Sequence, residues 1–154
     1  MLILGILLVI LIHELGHYTM ARLMGFEVKG VTLLLFRKKP LLGFKVKGTQ
    51  VKIGWIPLGG YTEFEDKEAE VWKWVLVLWG GCLFNLIFGL TILWGHGIDY
   101  VLTYYFCITN GIRIEETIYT FWDLTAFISV ILGLINTLPL KGFDGEKIKQ
   151  MLKD

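Results

Sequence analysis

The stretch ILLVILIHELGHYTMARLMG, residues 6–25, decides how the rest of the chain is read. Seven apolar residues, Ile6 to Ile12, run straight into His13-Glu14-Leu15-Gly16-His17. An ionisable group on a segment suited to hydrocarbon is costly unless it has a partner or a function. On a helix, residues i and i+4 share one face, so His13 and His17 can bind one tetrahedral zinc ion between them. Glu14 is placed to hold and deprotonate a metal-bound water, the base role in a His-Glu-x-x-His pattern. Short motifs do arise by chance, but then each of these three groups needs its own buried partner.

The composition agrees with a membrane setting. The chain has 154 residues, enough for one domain, and 55% of them are hydrophobic. Its 10 Phe, 6 Trp and 6 Tyr suit membrane–water interfaces, where amphipathic rings collect. A net charge of +1 gives no case for nucleic-acid binding. Cys82 and Cys107 lie in apolar runs without metal-ligand spacing and read as small hydrophobes. The apolar start could belong to a signal peptide. No Lys or Arg precedes Arg22 and no small-residue cleavage site follows, so a retained transmembrane helix is expected.

These features predict a membrane α-helical protein of one domain, residues 1–154, with three transmembrane spans at about 1–25, 72–96 and 118–139. Residues 26–66 mix β-branched residues with Gly and Pro and predict a small β-strand region between the first two spans, Arg37 to Pro40 forming a hairpin tip. Residues 100–112 are apolar but too short to span and read as an interfacial or re-entrant connection. A short helix over 146–153 closes the chain. Nine of the 15 Lys and Arg lie from Arg22 to Lys67 and four follow residue 140, whereas the loop between spans two and three has only Arg113. By the positive-inside rule the N-terminus is outside, and residues 26–66 and the C-terminus are cytoplasmic.

Zinc needs a third protein ligand. His96 and Asp123 fall at the outer ends of their spans and read as interfacial. Asp144 follows Asn136-Thr137-Leu138-Pro139-Leu140-Lys141-Gly142-Phe143, where Pro and Gly interrupt any helix. Broken backbone at membrane depth is tolerated where it lines a cavity or is buried in protein. As helix, Gly145 to the end covers about 15 Å, close to the roughly 18 Å from His13 to the Gly25 end, so Asp144 and His13 can share a depth. Asp144 is therefore the expected third ligand; capping the last helix is its alternative role.

Together these residues resemble the site-2 protease family of intramembrane zinc metalloproteases. HELGH matches the first family motif, and Asn136, Pro139 and Asp144-Gly145 match the spacing of another. Ile56-Pro57-Leu58-Gly59-Gly60-Tyr61 is similar to the segment before the second core helix in the bacterial envelope-stress branch. Gly80-Gly81-Cys82-Leu83-Phe84-Asn85 resembles that helix's Gly-Pro-x-x-Asn motif, with Cys82 in place of Pro. Lys141, Gly142 and Phe143 also depart from the usual residues, and neither a PDZ-like insertion nor a fourth helix is apparent. The resemblance implies a catalytic core in which His13, His17 and Asp144 bind Zn2+ and Glu14 is general base and later proton donor. Asn85 would hold the substrate backbone or stabilise the oxyanion; a helix-packing hydrogen bond is its equal alternative. Asn136 would satisfy carbonyls freed by Pro139, and Gly59 and Gly60 would lie on a strand offered to an extended substrate. Lys141 would add positive charge beside the site or snorkel to water. The implied partners are a single-span membrane-protein substrate and the lipid bilayer, the implied location a prokaryotic cell membrane. Oligomeric state stays open. Competing functions are a catalytically inactive relative that binds membrane helices as regulator or chaperone, and a transporter or metal carrier using the same ligands.

Overall fold

The computed structural model describes residues 2–35, 39–46, 48–65, 69–96, 105–106, 109–111 and 121–153. Helix α1 (Leu2–Leu23) is followed by strands β1 (Glu27–Leu35), β2 (Leu42–Val46), β3 (Thr49–Ile53) and β4 (Ile56–Glu65). Helices α2 (Val71–His96), α3 (Phe121–Asn136) and α4 (Asp144–Met151) complete it. Much of 100–112 and residues 118–120 lie outside the described residues, as does the His96 side chain.

Helix α1 ends where its sequence says it should. Gly25 takes φ +88°, a left-handed value glycine adopts freely. The Gly25 N–H donates to Arg22 O and the Phe26 N–H to Ala21 O, at 3.3 and 2.8 Å. This is a Schellman stop, with Phe26 folded back into a cluster with Ala21, Val28 and Val77. Phe26, Phe64 and Trp74 pack ring on ring around it, with centroids 4.8–5.8 Å apart. They join the end of α1, strand β4 and the start of α2, and so fix the sheet to the helices.

The helices approach closely because small residues face one another. A Cβ on Gly16 would run into the backbone of Gly80 and Gly81, and one on Gly89 would lie 2.6 Å from Ala126 O. The Ser129 hydroxyl, wholly buried, donates to Asn85 O at 2.9 Å and ties α3 to α2. Helices α1 and α2 are long and apolar enough to cross a membrane. On α2, Leu76, Trp79, Leu83, Ile87, Leu90 and Trp94 are exposed at three- and four-residue spacing, an outward apolar stripe that suits a bilayer. The 16 residues of α3 cover about 24 Å, short of a full span.

The sheet runs β2-β3-β1-β4, with β1 and β3 parallel and the other pairs antiparallel. This corrects the expected hairpin at Arg37–Pro40. Strand β3 lies between β1 and β2, so that connection crosses over, and residues 37–38 are outside the described set. The tight turn instead joins β2 to β3, where Val46 pairs with Thr49 and Gly48 takes φ +89°. Registered neighbours share a face, so Leu42, Ile53, Leu33 and Gly60 form one row and Phe44, Val51, Val31 and Thr62 the next. The face carrying Gly60 and Thr62 is the one turned to Glu14. Strand β4 is an edge, bonded only to β1 among the described strands.

Candidate metal centre

The i, i+4 spacing on α1 places the His13 and His17 rings edge to face, 4.7 Å between centroids. Their Nε2 atoms are 3.1 Å apart. Asp144, the first residue of α4, brings Oδ2 to 3.3 Å from His13 Nε2 and 3.2 Å from His17 Nε2. Bond lengths of about 2.0–2.1 Å in a tetrahedral site imply ligand atoms roughly 3.3 Å apart. All three edges of the triangle meet that spacing, and the donors are two imidazoles and a carboxylate. The residues therefore fit zinc. The His17 Nδ1–H donates to Val77 O at 2.9 Å, which leaves a lone pair on Nε2 pointing at the other two donors.

Asp144 arrives by a backbone device. Gly142 takes φ +94°, turning the chain after Pro139. A Cβ on Gly145 would meet the carbonyls of Thr137 and Leu138, so only glycine lets α4 begin so close to the end of α3. Phe143 is the N-cap residue, so Asp144 stands inside the helix and its alternative capping role is not observed. Burial works against its charge, but the imidazoles of His13 and His17 and the Lys147 ammonium beside it hold the carboxyl well below the usual carboxylate range. Lys147 Nζ donates to Oδ1 at 2.9 Å, leaving Oδ2 to the histidines. Lys141 is exposed on the turn; the cation that reaches Asp144 is Lys147.

Glu14 is 3% exposed, and the Thr62 hydroxyl donates to its Oε2 at 2.8 Å. Gly60 crosses the same carboxylate: a Cβ there would lie 3.0 Å from Glu14 Cγ and 2.5 Å from Thr32 O. Gly81 makes comparable room on α2, where a Cβ would lie 2.5 Å from His17 Nε2 and 2.7 Å from His13 Cε1. His13, Glu14, His17 and Asp144 line a cavity of about 820 Å³ that Gly59, Gly60 and Asn85 also border. Ile6, Ile10, Phe127 and Ile131 give it an apolar lining as well.

All seven candidate residues thus meet at one cavity. Asp123 is elsewhere, in the first turn of α3, and is buried. Asn136 borders the cavity, but its Nδ2 donates to Leu132 O at 3.0 Å within its own helix. The carbonyl of Ile135, which Pro139 leaves free, is taken by the Leu138 N–H at 3.0 Å, so no side chain is needed there. Sequence reasoning missed Thr62 and Lys147. Two signals were available: Thr62 lies two residues beyond Gly60, on the same strand face, and Lys147 one helical turn beyond Asp144.

A Helicobacter pylori protein and a Thermotoga maritima protein, both with zinc metalloprotease in their names, are similar to this chain. The first is 31% identical over 121 residues, which are 68% of this chain and 31% of the relative. The second is 29% identical over 150 residues, 81% of this chain and 30% of the relative. Zinc metalloprotease Rip1 of Mycolicibacterium smegmatis is 32% identical over 117 residues, 62% of this chain and 28% of that protein. The chain thus spans under a third of the length of these relatives. The metal in their names is the one the donor triangle fits. Residues 1–101, which carry α1, the sheet and α2, match the model of peptidase family M50, and the chain belongs to that family.

Proposed function

We propose that this chain is the catalytic core of an intramembrane zinc metalloprotease, one that hydrolyses a peptide bond within or near a transmembrane helix of a single-span membrane protein. The observation that carries the reading is the donor triangle of His13, His17 and Asp144 beside buried Glu14, all at one cavity. Zinc held by these three residues would polarise the scissile carbonyl and activate water. Glu14 takes the proton of the attacking water and returns it to the leaving amine. Thr62 holds one oxygen of that carboxylate, leaving the other for the proton. The helix of the substrate must open first. The outer edge of β4 can then pair with the extended chain, and Gly59 and Gly60 present backbone there without side chains in the way. The apolar lining of Ile6, Ile10, Phe127 and Ile131 suits a substrate arriving from lipid.

In this reading the chain crosses the membrane three times, with α3 and the residues before it as the third span. The N-terminus is outside, the sheet and the C-terminus are on the cytoplasmic side, and the setting is a prokaryotic cell membrane. The cluster of basic residues from Arg22 to Lys67 supports that orientation.

The test is Glu14→Gln in detergent-purified protein, followed by zinc content and cleavage of a single-span substrate. Zinc is expected to remain at about one per chain while cleavage falls by about 10²–10⁴-fold. An unchanged cleavage rate sinks the mechanism. A zinc-binding wild type that never cleaves favours the helix-binding relative instead.

A further inference from the structure

Helix α2 faces the two histidines of α1 with three positions spaced four apart: Val77, Gly81 and Asn85. Val77 supplies a carbonyl to His17 Nδ1, and Gly81 supplies space for both rings. Asn85 is 1% exposed, and its Nδ2 is 3.3 Å from His13 Nδ1. Its Oδ1 is buried with no hydrogen-bond partner among the described residues. A buried amide oxygen without a donor is costly.

The Nδ2 contact also conflicts with a metal site. An amide nitrogen can only donate, so it would make His13 Nδ1 an acceptor and place the ring proton on Nε2. That Nε2 is the atom converging on His17 Nε2 and Asp144 Oδ2. With a proton there it has no lone pair for an ion. Turning the amide end for end exchanges two groups of nearly equal size. Oδ1 then accepts from His13 Nδ1–H, the orphaned oxygen gains a donor, and Nε2 is free. Metal-bound histidines almost always donate their other N–H in this way.

We propose that Asn85 is a positioning residue. Its Oδ1 accepts from His13 Nδ1–H and fixes the tautomer and ring orientation that present Nε2 to zinc, as the Val77 carbonyl does for His17. This rests on the zinc reading above and assigns Asn85 neither of the two roles expected from sequence. It also explains why an amide, and not a larger apolar residue, occupies a buried position on an apolar helix.

The experiment compares zinc affinity, by competition with a chromophoric chelator in detergent, for wild type, Asn85→Leu and Asn85→Asp. Leucine matches the size without an acceptor; aspartate keeps an acceptor in place. Zinc binding is expected to weaken by about 10–100-fold in Asn85→Leu and to stay at or above wild-type strength in Asn85→Asp. A purely packing role would disturb both variants alike, so a parallel loss overturns the proposal, as does wild-type affinity in Asn85→Leu. Should Asn85→Leu not fold, 15N-histidine NMR of metal-free wild type at high pH decides. Only three histidines contribute signals. Neutral His13 protonated on Nδ1 supports the assignment, and protonation on Nε2 overturns it. A wild type that takes up no zinc overturns the metalloprotease reading itself, a result distinct from failure of the Asn85 assignment in a zinc-binding protein.

Discussion

Helix α1 and strand β4 both hold Glu14, and they do so by different means. Helix α1 carries it on a backbone clamped against Gly80 and Gly81, between two histidines tied to α2. Strand β4 touches it from an edge, through one hydroxyl and one glycine. A helix pressed backbone to backbone has no slack, so its side chains keep the short mutual distances a metal requires. An edge strand with one neighbour can shift or accept another strand. The ligand geometry therefore belongs to the helices, and the orientation of the base and the path of the substrate belong to the sheet. Substitutions on the two sides should separate zinc binding from cleavage.

The largest effect is expected at Gly81. In Gly81→Ala the new methyl would lie 2.5 Å from His17 Nε2, and His17 cannot retreat while Val77 O holds its other nitrogen. Overpacking of this kind costs about 1–3 kcal/mol, so zinc should bind roughly 10–100-fold more weakly. Chelator competition measures it, and cleavage should fall with zinc occupancy. Wild-type zinc affinity in Gly81→Ala would show that the helix contact does not set the ligand geometry.

Gly60→Ala probes the other side. The methyl would meet Thr32 O on the neighbouring strand and Glu14 Cγ below. Strand β4 must lift or Glu14 must turn. Zinc content should stay at the wild-type level while cleavage falls, by about tenfold if the strain is near 1.4 kcal/mol. If zinc is lost together with activity, sheet and helices form one unit and the comparison fails.

Lys147 stands between the two cases, a sheet-independent contact to a ligand. Its Nζ binds the Asp144 oxygen that faces away from the histidines, and its side chain is 57% exposed. Exposed pairs contribute little, so Lys147→Met should weaken zinc only about two- to five-fold. The same chelator titration reads it, and the loss should shrink further in high salt. A hundred-fold loss would mean that Lys147 sets the Asp144 rotamer.

What was legible in the sequence follows from the same division. His13 and His17 lie one turn apart on one helix, where spacing alone gives their common face, and Glu14 follows the first of them directly. Asp144 was legible because Pro139 and Gly142 interrupt the helix before it and two histidines leave zinc short of a third ligand. The strands were legible as segments, but not their pairing. Strand β1 pairs in parallel with β3 after the chain has crossed over through β2, a pairing that alternation does not encode. Asn85 could be placed at the site from its motif; its contact with His13 could not. That contact depends on how closely α1 approaches α2, which the missing side chains of Gly16, Gly80 and Gly81 determine only in three dimensions.

The most conservative substitution gives the sharpest test of the comparison. Thr62→Val keeps the shape of the side chain and the β-branching that a strand prefers. It removes one thing, the hydroxyl that donates to Glu14 Oε2. A hydrogen bond to a charged group contributes about 1.5–3 kcal/mol, but Glu14 lines a cavity where water can replace part of the loss. Cleavage should therefore fall by roughly three- to thirty-fold in kcat, with KM little changed because Oε2 faces Thr62 of the protein itself. Zinc affinity should be unaffected, since no ligand contacts Thr62. Thr62→Ser restores the hydroxyl and should recover most of the rate. Loss in both variants would mean that the strand itself has moved, and loss of zinc in Thr62→Val would place β4 among the elements that hold the metal.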